Sequence, residues 1–306
     1  MAERLALIDL GSNAVRLLLA QSRPGVGYSI LRQDRVQTRL ASGNGHRLSG
    51  RAVRDTLEVV RRFLRSLPSG NNLHIQAVAT AAVRDAENRA DLLDVLSRDE
   101  HINITILSPI EEACLGALAA LRSLPLRDGL IADLGGGSLQ LTTIRAGKVK
   151  AAASLPLGAV RMTERFLRTD PPAAKDTDAL RRDIRSQLEA ALSSDMRGGE
   201  FVGMGGTVRA LANLLLGARV NEDARHGLRL MRTDVAALRA RLEMLPLFLR
   251  QQLPGMKPER ADIIVAGTLV VEELMLALEY PSLTVCAYGV RDGLLARETF
   301  PDAWPP

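Results

Sequence analysis

Two stretches of the chain set an aspartate and a group of small donors in the same order. Leu7-Ile8-Asp9-Leu10-Gly11-Ser12-Asn13 and Ile131-Ala132-Asp133-Leu134-Gly135-Gly136-Gly137-Ser138 each read as an apolar strand ending in Asp, a glycine turn, and the start of a second apolar strand. Glycine lets a backbone turn tightly and bring its N–H groups against phosphate oxygens. A carboxylate at the strand end can hold Mg²⁺, or Mn²⁺ in its place, directly or through water, and so offset the charge of a phosphate ligand. Ser12, Asn13 and Ser138 add side-chain donors. Either copy alone reads as a hairpin turn with an Asp; two matched copies predict two related halves facing each other across a cleft.

The elements that must position these residues alternate between strand and helix, the pattern of an α/β protein. Leu5 to Leu10 and Val15 to Ala20 read as strands around the first loop. Val53, Leu57, Val60, Leu64 and Leu67 fall on one face of a helix from Arg51, which stops at Pro68 and Gly70. Strands follow at Leu73 to Ala79 and Ile104 to Leu107, and a helix over Glu111 to Leu124. After Pro125 the pattern restarts with strands at Gly129 to Leu134, Leu139 to Ile144 and Val149 to Leu155. Further helices are predicted near Asp178 to Leu192, Val208 to Leu216, Asp234 to Leu245 and Ala261 to Leu278, with Asp170 to Ala174 as a surface loop. Phe201 to Gly205 reads as a strand whose Gly205-Gly206-Thr207 turn opens a helix. The predicted boundary divides the chain into 1–124, joined by a C-terminal helix at about 291–306, and 125–290.

Composition narrows the chemistry. Aromatic residues are only 3% of the chain, too few for the stacking platforms of a single-stranded nucleic-acid binder, so no nucleic-acid partner is expected. The net charge is +5, and of 40 basic residues all but four (Lys148, Lys150, Lys175, Lys257) are arginine, whose fork suits phosphate oxygens. Cys114 and Cys286 lack metal-ligand spacing and read as buried free thiols; His46, His74, His101 and His226 are scattered and read as structural or surface residues. The N-terminus reaches Asp9 before an apolar signal segment can form. The longest apolar run, Ile263 to Val271, is too short to span a bilayer. A cytoplasmic protein with no membrane partner is expected, and a homodimer is compatible with this reading.

Further segments carry a resemblance. Ala79-Thr80-Ala81-Ala82-Val83-Arg84-Asp85-Ala86, Ser108-Pro109-Ile110-Glu111-Glu112-Ala113, Pro156-Leu157-Gly158-Ala159-Val160-Arg161, Arg260-Ala261-Asp262-Ile263-Ile264 and Tyr288-Gly289-Val290-Arg291-Asp292-Gly293-Leu294-Leu295 resemble motifs of the exopolyphosphatase/guanosine pentaphosphate phosphatase (Ppx/GppA) family. The resemblance runs from residue 5 to about residue 297. It implies a two-domain, actin-like (ribonuclease H-like) α/β fold of the sugar kinase, heat-shock ATPase and actin superfamily, in its short form.

It also implies Mg²⁺-dependent hydrolysis of the terminal phosphoanhydride of inorganic polyphosphate. Guanosine pentaphosphate is the alternative substrate, and a weakly active polyphosphate or alarmone sensor is the alternative of another class. In this reading Glu112 is the base that activates water, and Glu111 a first-turn surface charge. The loops Gly11, Ser12, Asn13 and Gly135, Gly136, Gly137, Ser138 hold phosphate, Arg84 braces it, and Gly205, Gly206 and Thr207 contact a nucleoside or the distal phosphates. Asp9, Asp133 and Gln140 hold the metal; Gln140 stands where the family carries Glu, keeping an acceptor oxygen and losing the charge. Arg16 reads equally as a phosphate contact or a solvated strand residue; Asp262 and Arg291 read as functional residues or, the safer account, as buried or interface ion-pairing residues.

Overall fold

A computed structural model describes residues 3–23, 27–42, 47–68 and 72–300; His46 and Gly70 lie outside them. Eleven strands within these residues form two mixed sheets. The first holds β1 (Glu3–Leu10), β2 (Ala14–Arg23), β3 (Gly27–Gln37), β4 (Leu73–Ala79) and β5 (Ile104–Ile106) in the order β3-β2-β1-β4-β5. The second holds β6 (Gly129–Leu134), β7 (Leu139–Arg145), β8 (Lys148–Leu155), β9 (Glu200–Met204), β10 (Arg229–Met231) and β11 (Ser282–Val285) in the order β10-β11-β9-β6-β7-β8. In each sheet an antiparallel three-strand ribbon is extended by two parallel strands: β1 pairs with β4 as β6 pairs with β9. The echo in the sequence is therefore an echo in topology, with β10 as the addition.

The period of a strand explains why both loop-bearing strands read as unbroken apolar runs. In β1, Ala6, Ile8 and Leu10 enter one core with Val60 and Phe63 of the helix Gly50–Arg65, while Leu5 and Leu7 enter another with Leu115, Leu294 and Leu295. In β6, Leu130, Ala132 and Leu134 pack into the large core of the second sheet, and Ile131 faces the opposite way, onto Ala117 and Ala120. Asp9 and Asp133 share the parity of Leu7 and Ile131. Both therefore point to the side on which the helix Pro109–Ser123 lies.

That helix packs against both sheets, and its small residues permit the approach. Leu115 joins the core under β1 while Ala117 and Ala120 join the core under β6. The C-terminal helix Val290–Thr299 closes on it: a Cβ at Gly293 would sit 2.0 Å from the Leu115 carbonyl oxygen. No helix among the described residues is long and apolar enough to cross a membrane.

Several elements differ from expectation. The ribbon strand β3 is unannounced because its sequence alternates poorly and its outer positions are exposed. The helices Ala90–Glu100 and Ala159–Phe166 are also additions. The helix expected from Glu111 begins at Pro109, because Ser108 caps it and its hydroxyl accepts the Glu111 N–H at 3.2 Å. Glu111 is correspondingly not a free surface charge: its carboxylate accepts the Ser108 N–H at 2.8 Å, and this bond holds its pKa below the usual value.

Candidate active site

The two glycine loops meet at the bottom of a cavity between the sheets. Its wall includes Asp9, Gly11 to Asn13, Glu112, Asp133, Gly135 to Ser138, Gln140 and Gly205 to Thr207. The loops are in direct contact, and glycine is what permits it. A Cβ on Gly137 would lie 2.7 Å from Ser12 Oγ and 3.1 Å from Ala81 Cβ; one on Gly136 would lie 3.0 Å from Ser12 Cβ.

In both loops the carbonyl oxygens are tied back into the protein. Arg39 and Ala41 donate their backbone N–H groups to the carbonyls of Asn13 (3.1 Å) and Ser12 (2.9 Å). Ala159 donates to Gly135 (3.0 Å), and Val160 and Arg161 donate to Gly136 (2.9 and 3.1 Å). This leaves the N–H groups of Ser12, Asn13, Gly136 and Gly137 without an acceptor among the described residues. Unmet N–H groups in consecutive turn residues form an anion-binding concavity.

Glu112 enters from the first turn of the helix Pro109–Ser123 and is buried. Its Oε2 accepts from Arg84 Nη1 at 3.1 Å. Burial pushes its pKa up to about 7; Arg84 opposes the rise, and the carboxylates of Asp133 and Asp9 add to it. A carboxyl poised there is suited to take a proton from water at neutral pH. The rate of a reaction that needs its carboxylate form should climb with pH through about 7, and a pH profile that is flat across that value would contradict the role.

The same shift has a consequence for stability. Between the ordinary value of 4.5 and about 7, the folded chain holds a proton that the unfolded chain has lost. The folded state is therefore weakened as pH rises through this window, by roughly 3 kcal/mol in all. Glu112→Gln should melt at a higher temperature than the wild type on the alkaline side of the window, and the difference should vanish near its acid end. Thermal melts across pH test this.

Arg84 was expected as a phosphate brace. It closes the short helix Ala81–Arg84 and is not part of the cavity wall. Its Nη1 donates to Glu112 Oε2 at 3.1 Å and to the Leu107 carbonyl oxygen at 2.9 Å, so a carboxylate is its partner in this structure.

The acidic residues differ in how they are held. Asp9 stands opposite Arg16 in the β1–β2 register and pairs with it at 2.9 Å. Asp133 stands opposite Gln140 in β6–β7, and its carboxylate makes no hydrogen bond or ion pair with a described residue. Two glycines frame it: a Cβ on Gly205 (φ +89°) would lie 2.8 Å from Asp133 Oδ1, and one on Gly116 would lie 3.6 Å from Oδ2. Burial raises its pKa, while Arg209 and Arg16 pull it down. Gln140 is buried, and its amide donates to Ser138 Oγ at 2.7 Å. No group of three or more His, Cys, Asp or Glu among the described residues forms a metal cage. One unpaired carboxylate beside a phosphate cradle fits a hard dication that keeps most of its waters.

Gly205 and Gly206 open the helix Gly205–Leu216 at the cavity wall, and Thr207 packs on Gly267, where a Cβ would lie 2.5 Å from its Oγ1. Arg16 and Arg291, which had an alternative reading, both line the cavity. Arg209 and Arg260 line it too and were not anticipated. The available signal for Arg209 was its place as a lone arginine inside the apolar run Val208 to Ala212, whose other residues are buried. Cross-cleft contacts close the mouth: Arg35–Glu259 (3.0 Å), Arg39–Asp262 (2.5 Å) and Arg161–Asp85 (2.6 Å). Asp262 is thus the ion-pairing residue expected. His226 bridges the Ser123 carbonyl (2.8 Å) and the Ala287 N–H (3.3 Å), a structural role, and both cysteines are buried and free.

Paired glycine loops between two mixed sheets, with a buried carboxylate beside them, suit a phosphoanhydride hydrolase, and the comparisons with known proteins point to that class. Residues 18–300 match the model of the Ppx/GppA phosphatase family, and the chain belongs to that family. It is 30% identical to exopolyphosphatase 1 of Mycobacterium leprae over 302 residues, covering 96% of this chain and 89% of that one. It is 31% identical to exopolyphosphatase 2 of Mycobacterium tuberculosis over 312 residues, covering 95% and 97%. Among solved structures, a Ppx/GppA family member of Aquifex aeolicus superposes with a TM-score of 0.82 at 26% identity, covering 99% of each chain.

Proposed function

We propose that the chain is an exopolyphosphatase that hydrolyses the terminal phosphoanhydride of inorganic polyphosphate and releases orthophosphate. The observation that carries this reading is the facing pair of loops with unmet N–H groups, into whose cavity Glu112 projects. The loops hold the terminal phosphates, and Glu112, oriented by Arg84, takes a proton from the attacking water. Positioning and charge stabilisation supply most of the rate, as in other phosphoryl transfers. The division into 1–124 with the C-terminal helix and 125–290 gives each half one loop, so closure of the cleft aligns them.

Polyphosphate is favoured over guanosine pentaphosphate by what adjoins the catalytic cavity. The neighbouring space is lined by arginines, Lys257 and polar side chains, with no aromatic residue on which a base could stack. A phosphate-release panel of short and long polyphosphate, guanosine pentaphosphate and ATP tests the choice. Release from guanosine pentaphosphate alone would overturn it.

Mg²⁺, or Mn²⁺ in its place, belongs to this proposal. Asp133 would hold it, with Asp9 and Gln140 nearby, and the cation would screen the phosphate charge. Gln140→Glu would set a second carboxylate opposite Asp133 in the β6–β7 register. The expected result is a lower Mg²⁺ requirement for phosphate release and tighter Mg²⁺ binding by calorimetry, with turnover equal or higher. An unchanged requirement would remove Gln140 from the metal set.

A further inference from the structure

The two loops are held from behind in the same way. The N–H that donates to the Asn13 carbonyl of the first loop belongs to Arg39, and one of the two that donate to the Gly136 carbonyl of the second belongs to Arg161. The side chain of each arginine crosses the cleft. Arg39 Nη2 lies 2.5 Å from Asp262 Oδ2, and Arg161 Nη2 donates to Asp85 Oδ2 at 2.6 Å. Arg39 and Asp85 belong to the first half, Asp262 and Arg161 to the second. Each loop is therefore tied back by an arginine that grips an aspartate of the opposite half. Arg39 takes its place with φ +51°, a backbone conformation that costs a non-glycine residue energy and that its surroundings must hold.

Asp85 reaches further into the site. It follows the short helix Ala81–Arg84, and its N–H donates to the Ala81 carbonyl at 2.9 Å. Its Oδ1 lies 3.5 Å from Nε of Arg84, whose Nη1 donates to Glu112. The same short helix touches the second loop, since a Cβ on Gly137 would lie 3.1 Å from Ala81 Cβ. One carboxylate thus joins the arginine that holds Glu112 to the arginine that holds Gly136.

We propose that Arg39–Asp262 and Arg161–Asp85 are a matched pair of cross-cleft clasps, which set the two loops against each other and against Glu112 when the halves close. The four are positioning residues: none of them is part of the cavity wall. Both pairs are partly exposed, so each contributes the modest amount of a solvated ion pair and weakens with salt. Their leverage lies in what they place, because reacting groups tolerate little displacement. The proposal rests on the hydrolytic reading above and extends it.

The test measures phosphate release from polyphosphate with Mg²⁺ for Arg161→Gln, Asp85→Asn, Arg39→Gln, Asp262→Asn and the double variant of each pair. Polyphosphate affinity is measured by calorimetry in the same variants carrying Glu112→Gln, so that turnover does not interfere. Each single change should lower kcat about three- to fivefold, the upper range for an exposed ion pair, and leave affinity in place. The second change within a pair should add nothing, while breaking both pairs should multiply the losses to about tenfold or more. Arg161→Lys and Arg39→Lys keep the charge and should recover most of kcat. Amide hydrogen exchange at 135–138 should quicken in both Arg161→Gln and Asp85→Asn, and at 11–13 in both Arg39→Gln and Asp262→Asn. Unchanged kcat, losses that add within a pair, or a fall in affinity that matches the fall in kcat overturns the clasps. If wild-type protein releases no phosphate, the exchange decides: quickening that follows loss of either partner upholds the clasps while the hydrolase reading falls, and unchanged exchange overturns them.

Discussion

Glu112→Gln should lower phosphate release by about 10²- to 10⁴-fold, the range for loss of a general base, while polyphosphate binding is kept. The substitution preserves size and leaves an amide oxygen to accept from Arg84, so the helix that carries it has no cause to move. The two effects of the change run in opposite directions: activity falls, and thermal stability above neutrality rises, because a buried carboxylate has been replaced by a neutral group. Damage to the fold would lower both. Near-normal turnover in Glu112→Gln would remove the assignment of the base.

Gly158→Ala should lower turnover by about 10²-fold, as expected when catalytic groups are misplaced by about 1 Å. A Cβ at Gly158 would lie 2.2 Å from the Gly137 carbonyl carbon and 2.3 Å from the Gly136 carbonyl oxygen. Both are backbone atoms, so no side chain can swing away to relieve the clash. The second loop, or the start of the helix Ala159–Phe166 that ties back its carbonyls, has to shift. Gly147→Ala is the control within the same sheet: nothing lies within 4 Å of its Cβ position, and its positive φ gives strain without touching the loops. Steady-state phosphate release and melting temperature measured on both variants separate loop displacement from general destabilisation. Equal activity loss in the two would contradict the account.

What could be read before the structure was local. The paired Asp-Leu-Gly loops are contiguous in sequence, each between strands that announce themselves by apolar runs, so the loops and the matching strands around them were legible. Glu112 was singled out only through its motif, since a first-turn carboxylate on a helix has a commonplace alternative as a partner of the helix dipole. Its burial and its bond to Arg84, 28 residues away, are products of packing. The same is true of the cations that finish the site. Arg35, Arg209 and Arg260 come from a ribbon strand, a helix and a short turn widely separated in sequence. Each, taken alone among 36 arginines, looks like any other surface charge. β3 was missed because strand periodicity fades where both faces are partly exposed. The bond of Arg84 to Glu112 was not legible because a guanidinium just past a strand suits phosphate and carboxylate equally.

The most direct test of the central claim is phosphate release from inorganic polyphosphate by purified protein with Mg²⁺ in ¹⁸O-labelled water, compared with Glu112→Gln. Direct attack by water places one labelled oxygen in each orthophosphate released, and the variant should release it at least a hundredfold more slowly. Absence of release from polyphosphate, or release that survives in Glu112→Gln at the wild-type rate, would contradict the reading of the two loops and Glu112 as a hydrolytic site.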